Sequence, residues 1–199
     1  YGENGENYEY SLGLNGLGSC ATQYASEYFD ATIWRDGYKY SLHFEKGENV
    51  GGLKVEELTT NKKRTGSIIR WLPDLEVFTD IDIPVEYYRD VMKRQAVVNA
   101  GVTFRLKREV SAGKFETEEF LYQSGISDYI AELVGEDALT APVCWDAERR
   151  GRDREDKPEY KVKLNVALCF SNRVKVVEHY HNSSFLEYGG SPEKATRLA

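Results

Sequence analysis

Apolar residues recur at intervals of three and four in several stretches of the chain. The first such stretch begins at Leu17, and Pro84 stands at the start of another, where a first-turn proline is favoured. Because residues three and four apart share one face of an α-helix, this spacing predicts amphipathic helices. They cover residues 17–29, 84–99 and 126–134. Gly101 follows the second helix, at a position where a left-handed cap often ends one.

Alternating apolar and polar residues predict strands between these helices. Asp36-Gly37 separates two alternating segments and is a strong signal for a tight hairpin. The longest alternation covers residues 160–170, and we expect it to pair with 174–181. Further strands are predicted over residues 53–58, 68–72, 102–106, 115–122 and 141–145. In the hairpin, His43 alternates onto the polar side of its strand, which favours a solvent-facing residue over a ligand.

Helices and strands are mixed along the chain, and this mixture predicts an α+β fold. Residues 146–158 combine charges of both signs with almost nothing apolar, which favours a solvated loop. A DNA-contacting role is the alternative for its arginines, which are Arg149, Arg150, Arg152 and Arg154. Residues 123–125 mark the expected boundary between two domains, 1–122 and 123–199.

The composition limits the classes of function. The chain has 199 residues and a formal net charge of −7, which argues against its being a principal nucleic-acid surface. Its three cysteines lack metal-ligand spacing, and we interpret them as reduced core thiols of a cytoplasmic protein. His179 and His181 have no further ligand close in sequence, so a metal site is not expected.

The sequence shows neither a signal peptide nor an apolar run long enough to span a membrane, so no membrane association is expected. The only methionine is Met92, and the chain is expected to be a piece of a longer protein.

A glycine-rich loop, SLGLNGLG over residues 11–18, precedes the first predicted helix. Gly13, Gly16 and Gly18 have the spacing G-x-x-G-x-G. Glycines allow backbone N–H groups to approach an anion closely, and the following helix adds the positive end of its dipole. The loop is therefore a candidate phosphate-binding site, and a plain glycine-rich turn is the alternative.

Residues 8–18, YEYSLGLNGLG, resemble the end of the ATP lid and the glycine box of the GHKL ATPase superfamily. Within it, the chain resembles the B subunits of bacterial DNA gyrase and topoisomerase IV, which are type IIA DNA topoisomerases. Further landmarks follow in the order of that family, namely Arg35-Asp36-Gly37, Arg64-Thr65-Gly66-Ser67, residues 84–101 and residues 182–190. The resemblance implies the C-terminal half of a Bergerat ATPase sandwich over 1–122, and the beginning of a ribosomal-protein-like transducer domain over 123–199.

The resemblance also implies roles for individual residues. The phosphates of ATP would be bound by the loop residues Gly13, Leu14, Asn15, Gly16, Leu17 and Gly18. Arg35 would lie at the mouth of the adenine pocket, and Ser67 would reach the water network that contacts adenine. Two residues depart from the family, since Glu9 stands where a lysine is usual and Leu12 replaces a glycine. No catalytic residue is assigned, because the family's general-base glutamate, Mg²⁺-binding asparagine and adenine-reading aspartate would lie upstream.

The implied function is that of part of an ATP-dependent DNA topoisomerase, which changes DNA topology by ATP-gated double-strand passage. The full-length enzyme would use ATP and Mg²⁺ and act in the cytoplasm, as a homodimer of B subunits with the gyrase or topoisomerase IV A subunit, on DNA. The chain alone would lack the complete ATP site, so neither ATP binding nor activity is expected of it. The alternatives are a non-catalytic interaction module derived from such an ATPase, which Glu9 and Leu12 favour, and a MutL-type ATPase.

Overall fold

The structure is a computed structural model, which describes residues 17–152 and 154–198. These residues group into two units, one ending at Ile83 and the other beginning at Pro84. The division into domains 1–122 and 123–199 concerns the domains of the family, and it stays a prediction. Within the predicted phosphate loop, residues 13–16 lie outside the described residues.

The first unit begins with helix α1, Leu17–Tyr24, which leads directly into strand β1, Ser26–Arg35. The prediction of a helix over 17–29 is therefore wrong beyond Tyr24. The apolar residues at its end belong to β1, where Phe29 lies opposite one residue of each neighbouring strand, Phe44 and Trp71. Hydrogen bonding on both sides of a strand outweighs a helical spacing that is only a local signal.

Four more strands complete the sheet of this unit. They are β2 (Tyr38–Glu45), β3 (Glu48–Asn49), β4 (Lys54–Glu57) and β5 (Gly66–Pro73). Their order is β3-β2-β1-β5, with β4 beside β2, and all the pairs are antiparallel. The predicted hairpin is confirmed, because Asp36 and Gly37 connect β1 to β2 with φ values of 53° and 83°, as a type I′ turn requires.

The sheet has an apolar face and a polar face. Phe29, Ala31 and Ile33 of β1 share the apolar face with Tyr40, Leu42, Phe44, Val55, Ile69 and Trp71 of the neighbouring strands. The residues between them alternate onto the polar face, which includes His43, as predicted. An antiparallel sheet with this division normally has a core on one side and solvent on the other.

The second unit is built around helix α2, Val85–Val98, and the predicted helix over 84–99 is confirmed. The elements around it are β6 (Phe104–Ser111), β7 (Lys114–Phe120) and helix α3 (Ile126–Val134). Ala96, Val97 and Tyr122 are buried where these elements meet. Gly101 has a φ of 78° just after α2, which agrees with the predicted left-handed cap.

The long strand predicted at 160–170 is confirmed as β9, Tyr160–Leu168, but its predicted partner is wrong. β9 pairs with β8, Val143–Gly151, whereas residues 174–179 form neither helix nor strand. Much of the charged stretch predicted as a loop is therefore strand. Its charges pair across the two strands, as Lys161 Nζ does with Glu148 Oε1 at 3.0 Å. Such cross-strand ion pairs stabilise a strand that has no apolar side chains on one of its faces.

The remaining elements are a short pair, β10 (Tyr180–His181) with β11 (Ser184–Phe185), and helix α4, Gly190–Leu198. The interpretation of the cysteines as core thiols is wrong for Cys20 and Cys144, which are free and exposed. Cys20 lies on α1, a helix without a buried residue, and Cys144 alternates onto the charged face of β8. Among the residues that the structure describes, no helix has the length and apolar character to cross a membrane.

Candidate functional site

Strands β1 and β5 bring two of the predicted site residues together. Ser67 lies directly opposite Ile33, and Arg35 is two residues further along β1. Residues at this diagonal offset lie on the same face of a sheet, with Cα atoms about 7–8 Å apart. Arg35 and Ser67 are therefore neighbours on the apolar face, although they are far apart in sequence.

The Arg35 guanidinium is accessible at the hairpin end of the sheet. Its Nε donates to Oδ2 of Asp36 at 3.2 Å, and both side chains are 77% exposed. An exposed ion pair of this kind contributes little to folding. The planar guanidinium is therefore available to stack on a ligand or to donate to it.

The turn before β5 positions Ser67. The guanidinium of Arg64 lies 3.7 Å from the centroid of the Trp34 ring, and the backbone N–H of Arg64 donates to the Asn61 carbonyl at 2.9 Å. Gly66 has a φ of 141°, which residues with a Cβ rarely adopt. This backbone conformation accounts for the glycine in Thr65-Gly66-Ser67. The Ser67 side chain is exposed, and its hydroxyl can both donate and accept hydrogen bonds.

Apolar side chains surround these two polar groups. Ile33, Val55 and Ile69 belong to the same face, and each is about half exposed, at 42%, 52% and 50%. A flat heteroaromatic ring buries its faces against such a wall and needs only a few polar contacts at its edge. The arrangement of one hydroxyl and one guanidinium beside an apolar wall is therefore suited to a flat heteroaromatic ring.

Of the predicted phosphate-binding residues, the structure describes Leu17 and Gly18, which form the first turn of α1. The others, Gly13, Leu14, Asn15 and Gly16, lie outside the described residues. Apart from its chain neighbours and the backbone of its own helix, no described atom lies within 4 Å of a Cβ placed on Gly18, so packing among the described residues does not require a glycine there. The first N–H groups of a helix lack partners within it and can bind an anion.

Side-chain hydrogen bonds connect the region around residues 182–190 to α2 and α3. Gln95 Nε2 donates to the Ser183 carbonyl at 2.7 Å, and the Tyr129 hydroxyl donates to Glu178 at 3.2 Å. Burial, assisted by the Glu178 carboxylate, raises the pKa of Tyr129 to about 12. Sequence reasoning misses this network because its members are distant in sequence, and each resembles an ordinary surface residue.

The four arginines considered for DNA contact do not all lie on one face. Arg149 and Arg150 are consecutive in β8 and alternate onto opposite faces. The other two are ion-paired, Arg152 with Glu159 at 3.0 Å and Arg154 with Asp156 at 3.6 Å. Within the described residues, no group of three or more His, Cys, Asp or Glu side chains is placed to hold a metal ion.

Comparison with known proteins identifies relatives of this chain, although no protein-family model matches it. The topoisomerase IV B subunit from Enterococcus faecalis is 32% identical over 180 residues, which are 88% of this chain and 25% of that protein. Its counterpart from Salmonella typhimurium is 34% identical over 129 residues, 65% of this chain and 20% of that protein. Among solved structures, the 43K ATPase domain of Thermus thermophilus gyrase B, in complex with an aminocoumarin, has a TM-score of 0.56 at 23% identity. That likeness covers 75% of this chain and 39% of the solved one.

The structural likeness establishes the fold, which is the α+β fold of the GHKL ATPase domain of gyrase B. The matched region spans 20% to 25% of the length of the two curated relatives. Those relatives match 65% and 88% of this chain. The chain therefore belongs to the family of DNA gyrase and topoisomerase IV B subunits.

Proposed function

We propose that this chain is part of an ATP-hydrolysing DNA topoisomerase of this family and contributes to its nucleotide site. Arg35 and Ser67 contact the adenine end of ATP, and residues 13–18 bind its phosphates. The observation that carries the proposal is the placement of Arg35 beside Ser67 on the apolar face, at the positions of two family motifs. The names of the relatives supply the reaction class.

The described residues fit an adenine nucleotide in chemistry. The Ser67 hydroxyl donates to one edge atom of the base, or to a water, and accepts from another. Arg35 lies beside Ser67 at the hairpin end of the sheet, where an exposed guanidinium stacks on a ring at little cost in desolvation. ATP, bound with Mg²⁺, supplies the phosphoanhydride that the complete enzyme hydrolyses.

The same proposal extends to the partners of the whole protein. It acts on DNA with an A subunit, forms a homodimer of B subunits, and works in the cytoplasm. Residues 123–199 begin its transducer domain. The net charge of −7 supports a location of the main DNA-binding surface in other parts of the complex.

The test compares two site variants with matched controls in the full-length protein. Ser67→Ala and Arg35→Gln should each weaken the binding of a non-hydrolysable ATP analogue by about fivefold, the worth of one modest hydrogen bond. Ser111→Ala, an exposed strand serine, and Arg105→Gln, an arginine 66% exposed beside Glu119, should leave the affinity unchanged. Site variants that bind the analogue as tightly as the controls would contradict the proposal.

A further inference from the structure

The polar face of the first sheet carries two rows of side chains that run across its strands. In one row, Asp30 of β1 lies between Arg70 of β5 and His43 of β2. In the next row, Thr32 and Ser41 lie side by side, and Lys54 of β4 follows Ser41. The two rows are adjacent because their members are two residues apart along each strand.

A cavity of about 320 Å³ lies over these rows. Arg70 and Lys54 line it from opposite sides, and the hydroxyls of Thr32 and Ser41 line it between them. Its volume falls at the lower end of the range of small-ligand sites, about 300–1,000 Å³. It lies on the face opposite to Arg35 and Ser67, and it is therefore distinct from the proposed adenine site.

Positive charge is in excess at this cavity. Asp30 is the one carboxylate among the described residues that line it, and its Oδ1 is engaged with His43 Nδ1 at 2.6 Å. Arg70 lies over the Tyr28 ring, 5.1 Å from the centroid. In the described part of the chain, neither Arg70 nor Lys54 has a carboxylate oxygen within the 4.0 Å of a salt bridge. Two other lysines of this sheet are paired, Lys39 with Glu56 and Lys46 with Glu76.

We propose that this cavity is an anion-binding site that takes a phosphate group between Arg70 and Lys54. Three strand spacings of about 4.8 Å separate β5 from β4, and two long side chains can converge across that width. Arginine offers paired N–H donors that match the oxygens of a phosphate, and lysine adds a point charge. The Thr32 and Ser41 hydroxyls complete the donors beneath the ligand.

The test is calorimetric titration of the 199-residue chain with pyrophosphate. Lys54→Gln and Arg70→Gln should each weaken binding about tenfold, as expected for loss of a hydrogen bond to a charged group. Both residues are exposed, and unfolding curves verify that the variants fold. Lys114→Gln is the control for an exposed strand lysine, and it should bind pyrophosphate as the wild type does.

The phosphate can belong to a small anion or to a nucleic-acid backbone, and a second titration with a short DNA duplex separates the two. Loss of duplex binding in Lys54→Gln and Arg70→Gln, together with loss of pyrophosphate binding, identifies the backbone as the source. Loss of pyrophosphate binding alone identifies a free phosphate compound. The proposal is overturned if the wild type does not bind pyrophosphate, if the two variants bind it unchanged, or if Lys114→Gln weakens the binding as much as they do.

Discussion

His43 illustrates what a single residue contributes in this sheet, because it lies between two carboxylates. Its Nδ1 is 2.6 Å from Asp30 Oδ1, and its Nε2 is 3.2 Å from Glu45 Oε1. Hydrogen bonding to Asp30, and secondly to Glu45, raises the pKa of His43 above its ordinary value of 6.5. The folded chain therefore binds the proton more tightly than the unfolded chain does.

This difference predicts a pH dependence of stability. The contribution of His43 is fully present below pH 6.5, and it is lost as the pH rises through the raised pKa of the folded state. The Asp30→Asn variant should therefore be less stable than the wild type at acidic pH, and the difference should shrink as the pH rises. Urea unfolding at a series of pH values measures it. Glu136→Gln removes an exposed carboxylate elsewhere and should show no such trend, and a constant difference for Asp30→Asn would contradict the assignment.

The neighbours of Asp30 show which contacts can be derived from sequence. The two-residue turn at Asp36-Gly37 fixes the register of β1 and β2, so the contact of Asp30 with His43 follows from the predicted hairpin. Arg70 lies opposite Asp30 on the other side. That pair cannot be derived, because the long connection from β2 to β5 leaves the register of β5 undetermined.

At the scale of elements, the hairpin turn offers a direct test. Gly37 has a φ of 83°, whereas Gly18 lies in α1 with open space around its Cα. Gly37→Ala should lower the free energy of unfolding by about 1 kcal/mol or more, because alanine is strained at positive φ. Gly18→Ala should raise it by up to about 1 kcal/mol, because alanine favours a helix. Urea unfolding of both variants measures the contrast, and a stabilising Gly37→Ala would show that the turn is not as described.

Two elements are predicted only in part, for physical reasons. α1 ends at Tyr24 because the next residues pair in β1, and apolar spacing within a short segment does not distinguish a helix from a strand. β8 is predicted only as far as Trp145, because charged residues occupy both of its faces beyond Ala147 and hide the alternation. By contrast, α2 and β9 are long and strongly periodic, and for them the local pattern and the fold agree.

For the whole molecule, the order of short motifs was more informative than periodicity. Gly66 and the turn at Asp36-Gly37 have backbone conformations that few residues adopt, and they stand beside Ser67 and Arg35. At such positions the backbone conformation restricts which residues can be used, so short motifs built on them help to identify a family. The boundary between the two units, at Ile83 and Pro84, cannot be predicted from the sequence, because no glycine-rich or charged linker marks it.

The last prediction concerns ATP binding by the 199-residue chain at the proposed nucleotide site, which we expect to be undetectable. A helix N-terminus contributes up to about 2 kcal/mol toward an anion in a partly buried site. The hydrogen bond from Ser67 and the contact from Arg35 add about 1 kcal/mol each. The sum reaches at most the roughly 4 kcal/mol of millimolar affinity, before the lost translational and rotational freedom of the ligand is subtracted. Further base and Mg²⁺ contacts must supply the remainder, and by resemblance to the family those residues precede the glycine loop.

Titration calorimetry with a non-hydrolysable ATP analogue and Mg²⁺ tests this argument. The titrations use the Lys54→Gln, Arg70→Gln double variant, so that the proposed anion site does not contribute. In this background the 199-residue chain should give no heat of binding, and a protein extended upstream by roughly 100 residues, on the scale of a domain, should bind. Ser67→Ala in the extended protein should weaken that binding, which ties the recovered affinity to the site on β5. Millimolar or tighter binding by the 199-residue chain in this background would show that the energy estimate omits a contact. Absence of binding by the extended protein would contradict the proposed function, because the upstream base and Mg²⁺ residues of the family would then be present without a ligand.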